Sequence, residues 1–394
     1  MPLIQNCNKL FERNSNITKI YNNGNVVWPV VKPRIIPSRT VPFYVENISN
    51  ENETLSIKGG NAPTLTIEYS TNNSTWRTLG TTSATDLTRT IAPGERLYLR
   101  CSTDAWIGTN AYNTIQGVSK VGGNIMSLLY GDGFTGQTSF PIGSGSNFYY
   151  LFINNTRLTD AYELLLPATN PGCYEGLFSG CTSLTDAPML PATTLAYGCY
   201  KGMFSGCTSL TDAPTLPATT LANYCCMYMF AGCTALTQAP ALPFTTLAEG
   251  CYEGMFAGCT SLTQAPALPA TTLADYCYAA MFAGCTSLKA TPALPAITMK
   301  GWCYYQMFDG CSSLTSVTLP AIKLTHFCCY GMFGNCKSLN NVTCLARLIN
   351  SDTSDFTPGW LAGVSSTGTF TKAAGVTWPR GNSGIPEGWT VLDA

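Results

Sequence analysis

Cys251–Tyr276 reads CYEGMFAGCTSLTQAPALPATTLADY, and its neighbours on both sides spell nearly the same thing. From Cys173 to Trp302 the sequence copies itself five times at a strict period of 26 residues. A sixth copy begins at Cys303 and is one residue shorter, and a seventh begins at Cys328 and decays after Leu345. A degenerate leading copy lies in YYLFINNTRLTDAYELLLPATN, Tyr149 to Asn170. A fixed period of roughly 20–30 residues marks a solenoid, in which each coil cannot cover its apolar face alone and buries it against the next.

Within a copy, Leu273, Cys277, Met281 and Cys285 stand four apart with Phe282 beside them. That spacing predicts one face of a short helix, fraying at Gly284. After the turn, Leu288 to Pro295 reads as extended chain. The short copy carries TSVTLP at Thr315 to Pro320, with Val317 and Leu319 alternating inward as in a strand. Longer copies carry APALP there, as at Ala265 to Pro269, and Pro266 has no N–H to give to a ladder. An irregular parallel ladder is therefore expected through the middle coils, with better strands in the last two. Strands stacked about 4.8 Å apart make about eight coils a rod roughly 40 Å long. Helical backs, which pack no closer than about 8 Å, would curve it.

Outside the repeat, residues 1–40 hold one hairpin, with Tyr21 and Val26 flanking Asn22-Asn23-Gly24-Asn25, and a linker punctuated by Pro29, Pro33 and Pro37. Residues 41–128 read as short alternating strands separated by turn residues (VPFYVENI, TLSIKG, TLTIEYS, WRTLG, RTIAPGERLYLRC), which predicts a β-sandwich. Residues 129–148, with Gly131-Asp132-Gly133, read as a connecting loop, and the solenoid occupies 149–345. Residues 346–394 break the period and carry Trp360, Trp378 and Trp389, as a terminal cap covering the last coil would. The fold class expected is thus a β-rich N-terminal domain followed by an α/β repeat solenoid with a C-terminal cap.

Only 11% of the 394 residues are charged, against about 25% in an average soluble domain, and the formal net charge is −1. The basic surface that nucleic-acid binders use is missing, and no apolar run reaches the length of about 18 residues that a membrane span needs. The first residues, MPLIQNCNKLFERNSNITKI, lack the pattern of a secretory signal, which predicts a chain made in a cytosol with its thiols reduced. The repeat cysteines recur at +8 and +18, not as Cys-x-x-Cys, so they read as buried small apolar groups rather than zinc ligands. The adjacent pairs Cys225-Cys226 and Cys328-Cys329 are expected to point opposite ways. With His326 as the sole histidine, no Ser–His–Asp or Cys–His arrangement assembles. The carboxylates of the exact copies (Glu175, Asp186, Asp212, Glu249, Glu253 and Asp275) are spread over separate coils. No catalytic residue, cofactor or metal is expected.

What varies between copies is the informative part. Before the repeat cysteines stand Tyr197, Tyr224, Tyr276, Trp302 and Phe327, and after them Tyr228 and Tyr305. These positions do not keep the core pattern, so they are expected to face solvent, where aromatic residues suit protein or sugar recognition.

The repeat resembles the Bacteroides surface-protein (BspA-like) leucine-rich repeat, in which Phe-x-x-Cys-x-x-Leu leads into a strand and a proline. Here Phe256, Cys259, Leu262 and Leu268-Pro269 match, and Phe308, Cys311, Leu314, Val317, Leu319 and Pro320 match more closely. GNIMSLLYGDGF (Gly123 to Phe134), IEYSTNNSTWRTL and SGIPEGWTVLDA resemble flanks found with this repeat in gut Bacteroidales proteins and their phages. The resemblance runs from about Val41 onward and implies adhesion, recognition or structural display, with no catalytic residues. TKIYNNGNVVWP resembles leader segments of phage structural proteins. With no secretory signal pattern in the first residues, the function expected is that of a non-enzymatic virion protein (head fibre, decoration or tail-attached adhesin). Its N-terminal segment would meet other virion proteins, and its solenoid would meet a host surface protein or glycan. A second copy of the chain is a further implied partner, and the alternative is a bacterial cell-surface adhesin.

Overall fold

The computed structural model describes residues 19–22, 25–29, 38–59, 66–82, 86–101, 113–140, 148–167, 170–320, 324–325, 327–346 and 357–394. The chain forms two compact units, Met1–Pro37 and Ser38–Ala394. In the first, β1 (Lys19–Asn22) and β2 (Asn25–Pro29) pair antiparallel, with Asn22 opposite Asn25 and Tyr21 opposite Val26. The turn residues between them, Pro33 and Pro37 lie outside the described residues.

The second unit begins with β3 (Tyr44–Glu46), β4 (Glu53–Lys58), β5 (Thr66–Ser70), β6 (Arg77–Thr81), β7 (Leu87–Ile91), β8 (Arg96–Cys101), β9 (Thr114–Gln116) and β10 (Lys120–Asn124). Alternation sets their faces: along β8, Leu97, Leu99 and Cys101 are buried, with Arg96, Tyr98 and Arg100 half-buried between them. The sheets β7-β4-β9 and β10-β3-β8-β5-β6 contribute to one core, in which Leu55, Ile57, Ile67 and Leu97 are buried. The segment expected as a loop instead winds into α1 (Ser127–Tyr130) and a 3-10 turn (Gly131–Phe134), which bury Leu128, Leu129 and Phe134. No helix of the described residues is long and apolar enough to cross a membrane.

The β-rich part does not end where the repeats begin. β10 pairs in parallel with β11 (Leu164–Leu165) of the leading copy, and the buried cluster runs unbroken from Phe43 to Trp389. Lys120 sits across this seam, 3.0 Å from Glu163 of the leading copy and 3.7 Å from Glu46 of β3. Tyr44 also donates its hydroxyl to Glu163. Burial alone would raise the Glu163 carboxyl, but the hydrogen bonds from Tyr44 and Lys120 outweigh it and hold it below the ordinary range.

The repeat contains no helix among the described residues, which corrects the reading of Leu273, Cys277, Met281 and Cys285 as a helical face. The amides of Cys277, Ala279, Met281, Ala283 and Cys285 donate three residues back, to Ala274, Tyr276, Tyr278, Ala280 and Phe282. The amides between them, of Tyr278, Ala280, Phe282 and Gly284, donate to Cys303, Tyr305, Met307 and Asp309 of the next coil. An α-helix would direct all of these four residues back within its own coil. Here half of them sew one coil to the next. Every fourth residue, Tyr276, Ala280 and Gly284, has positive φ (56°, 51° and 73°), as the third residue of a type II turn requires. The chain therefore repeats at a period of four, two residues in and two out: Cys251-Tyr252 and Met255-Phe256 are buried, while Glu253 and Ala257-Gly258 are half-buried and Gly254 is covered by the Tyr228 ring. Because the backs are hydrogen-bonded coil to coil, the wedge that helical packing would have supplied to curve the solenoid is absent.

On the opposite side, the proline-bearing copies meet at isolated bridges, such as Asp212 to Gln238 and Thr246 to Thr272, rather than along continuous strands. Continuous strands appear where proline is gone: β12 (Ser316–Leu319) and β13 (Asn341–Cys344) pair in parallel, Val317 opposite Val342. The tail that breaks the sequence period continues this ladder, with β14 (Gly368–Lys372) on β13 and β15 (Trp389–Asp393) on β14, both parallel. Its turns also join the back: Phe333 and Asn335 donate to Trp360 and Ala362. The tail thus adds two further rungs rather than a plug of a different kind.

Between back and ladder run columns of like side chains. Phe152, Phe178, Phe204, Phe230, Phe256, Phe282, Phe308 and Phe333 stack with centroids 5.3 to 5.8 Å apart, each contact contributing roughly 0.5–1.5 kcal/mol beyond its burial. Every described cysteine is buried and outside any disulfide. The cysteines eight residues into each copy donate S–H to a phenylalanine carbonyl of the preceding coil, as Cys259 to Phe230 at 3.2 Å and Cys285 to Phe256 at 3.2 Å. The adjacent pairs do not diverge as expected: Cys328 Sγ lies 3.6 Å from Cys329 Sγ, and both are buried. Cys226 and Cys329 stand where other copies place a buried tyrosine, such as Tyr252, which is why these copies double their cysteines.

Trp360 is buried, stacks on Trp378 with centroids 5.2 Å apart and donates Nε1–H to Gly384 O at 2.8 Å. Removing residues 346–394 should expose the last regular coil and give an aggregating, non-cooperative protein. The milder Trp360→Ala should cost about 3–5 kcal/mol in denaturant unfolding. A monomeric, cooperatively folding truncation would show that these rungs do not protect the core.

Burial pushes the thiols of Cys173, Cys181, Cys233, Cys277, Cys285, Cys336 and Cys344 up to about 12. In the unfolded chain they ionise near the usual value of about 8.5, so stability should be level below that pH and fall as pH rises toward 12. Each thiol steepens the fall by roughly 1.4 kcal/mol per pH unit. Denaturation midpoints measured between about pH 8 and 11 test this. An unchanged midpoint would mean the thiols are not buried in the folded protein.

Candidate functional site

The left-handed positions decide where the variable aromatic residues go. Tyr224, Tyr228, Tyr276, Trp302 and Phe327 all occupy them, with φ of 57°, 53°, 56°, 57° and 51°. Other copies carry Gly198, Gly202, Gly250 and Gly254 at the same two places. A residue with a β-carbon is strained there by roughly 1–2 kcal/mol, whereas glycine is not. From these positions each ring leans along the solenoid over the next coil. A β-carbon on Gly250 would fall 2.4 Å from the Tyr224 ring, and one on Gly254 would fall 2.1 Å from the Tyr228 ring. The glycine of one coil is the seat of the ring from the coil before.

Two groupings result. Tyr276, Trp302, Tyr305 and Phe327 come together: Trp302 lies 6.0 Å from Tyr276 with planes 5° apart, 4.5 Å from Phe327 and 5.4 Å from Tyr305. Tyr330, 37% exposed and 5.4 Å from Tyr305, completes this patch. Sequence reasoning passed it over, although it stands two residues after Cys328, as Tyr305 does after Cys303. Tyr197 and Tyr224 form a second group, centroids 5.6 Å apart and planes at 71°. Tyr228 belongs to neither; its hydroxyl lies 3.3 Å from Glu253 Oε1. Tyr197 is 58% exposed, while Tyr224, Tyr276, Trp302, Tyr305 and Phe327 are half-buried by their neighbours.

The carboxylates of this face are held laterally rather than facing one another. Glu175 pairs with Lys201 at 3.0 Å, Glu249 accepts from Tyr224 and Asn223, and Asp275 accepts from the Gly301 amide at 2.9 Å. Burial outweighs the hydrogen bond from Tyr228 and raises the Glu253 carboxyl. Among the described residues no three histidine, cysteine, aspartate or glutamate side chains gather as a metal site needs. His326 lies outside the described residues. What this face offers a partner is ring surface and hydrogen-bonding edges.

The sequence matches the description of the BspA-type leucine-rich repeat region in six copies, over residues 150–289 and 249–365, more than half of the chain. No curated protein matches. A solved structure of a leucine-rich cell surface protein from Faecalibacterium prausnitzii A2-165 is similar at 17% identity, over 58% of this chain and 77% of its own, with a TM-score of 0.23. At that score the likeness carries no inference about how these coils are arranged. The family assignment rests on the repeats themselves, from the Phe and Cys columns to the ladder: the chain belongs to the BspA-type leucine-rich repeat family.

Proposed function

We propose that this chain is a non-enzymatic recognition protein that displays the turn face of its solenoid at a bacterial cell surface, as an adhesin does. In this reading the two N-terminal sheets close as a sandwich over the first of about eight coils, and residues 1–40 attach the molecule. The observation that carries the reading is the placing of Tyr276, Trp302 and Phe327 in left-handed backbone that costs them energy. Coil stacking alone does not call for them, because the copy with Gly250 and Gly254 at these places keeps the same hydrogen bonds to its neighbours. The other placement is a phage virion, with the N-terminal segment bound to other virion proteins. Mass spectrometry of purified cell envelopes and of virions separates the two placements.

Replacing Tyr276, Trp302 and Phe327 with glycine, the residue other copies carry, together with Tyr305→Ser, should leave the melting temperature close to that of the parent. Adhesion of the labelled protein to intact bacterial cells should fall by about tenfold or more. Undiminished adhesion of the folded variant would reduce these rings to lateral packing and end the proposal.

A further inference from the structure

The column of left-handed positions runs Gly172, Gly198, Tyr224, Gly250, Tyr276, Trp302, Phe327 along successive coils. From Tyr224 onward each place is occupied by a ring or covered by the ring before it. At Gly198 a β-carbon would meet nothing within 4 Å. The column therefore has a gap where two consecutive coils supply no ring, and a hollow of about 500 Å³ opens there. Tyr197 and Tyr224 form two of its walls, Met227 a third, and Glu175 with Lys201 gives it a polar side.

We infer that this hollow binds a neutral pyranose ring of a surface glycan, an inference that rests on the turn face being the recognition face. The volume falls within the range of about 300–1,000 Å³ typical of small-ligand sites. Tyr197 and Tyr224 meet at 71°, so a pyranose chair can lay its C–H face on one ring and meet the edge of the other. Lys201 Nζ and Glu175 Oε1 stand 3.0 Å apart, a donor and an acceptor side by side. Two adjacent sugar hydroxyls match that pair, one accepting from the ammonium and the other donating to the carboxylate. The pair carries no net charge, which gives a charged ligand no advantage over a neutral one. An aromatic peptide side chain would fill the gap but lacks the two adjacent hydroxyls that engage both members of the pair. Tyr224 is held in place for this contact, its ring seated on Gly250 and its hydroxyl bonded to Glu249.

The test is calorimetric titration of the full chain with methyl glycosides of glucose, galactose, mannose and N-acetylglucosamine, followed by oligosaccharides of any that bind. Gly198→Tyr closes the gap with the residue that the next coil already accommodates at the same φ, and Tyr197→Ala removes a wall from an exposed position. At least one pyranoside should bind with Kd of about 1 mM or tighter, and each variant should weaken it by about tenfold or more. Trp302→Gly should leave that affinity unchanged. Absence of heat from every pyranoside overturns the inference, while adhesion still lost in the Trp302 variants would leave the broader recognition reading standing. Sugar binding that survives Gly198→Tyr and Tyr197→Ala, or that disappears with Trp302→Gly, also overturns it, because the ring would then sit elsewhere. So does blocking by Gly198→Tyr of a peptide ligand when no sugar binds.

Discussion

Hydrogen bonds that leave each turn alternately for its own coil and for the next require a left-handed residue at every fourth position, and the solenoid is arranged around that requirement. A helix satisfies its backbone alone and then packs at the distance its side chains set. This turn ribbon cannot satisfy itself: Phe282 and Gly284 have no intracoil acceptor and depend on Met307 and Asp309 of the following coil. Each coil is incomplete without its neighbour, so stability accrues along one dimension and an uncovered end is a liability. The left-handed residues also fix the period at four, which lets Cys, Tyr, Met and Phe return to the same inward place in every copy and stack as columns.

How much of this was legible depended on which signal was local. The 26-residue period was enough for a solenoid, and the loss of proline at Ser316–Leu319 was enough for a strand there. The back was misread because apolar residues four apart fit a helix almost as well as a four-residue turn. The discriminating signal was present in Gly250, Gly254 and Gly258, three glycines four apart, each costing a helix interior roughly 1 kcal/mol. The tail was separated from the repeats because its sequence lost the period, whereas the ladder joining β13, β14 and β15 is made by backbone and tolerates that loss.

The outward positions were recognisable as those that vary where the core does not. Their grouping was not, because Tyr276, Trp302 and Phe327 meet only through the lean that positive φ gives each ring toward the next coil. A hollow defined by side chains that two coils lack has no signature in either coil alone. Glycine at 172 and 198 gains its meaning from tyrosine at 224.

The same stacking explains why so few residues are charged. On the ladder side, threonine hydroxyls join equivalent positions: Thr185 Oγ1 donates to Thr159 O at 3.1 Å, Thr208 to Thr182 at 3.2 Å and Thr219 to Thr193 at 3.1 Å. Each bond binds one coil to the one before it with a neutral donor and a backbone acceptor. A hydroxyl can repeat in register from coil to coil, since every copy supplies both the donor and the carbonyl. Lysine cannot, because like charges brought one coil apart repel. Ion pairs fit only where neighbouring copies differ in sign, as Glu175 and Lys201 do. A repeat whose surface must cohere with copies of itself is thus driven to threonine, alanine and tyrosine, and what it can offer a partner is made of rings and hydroxyls.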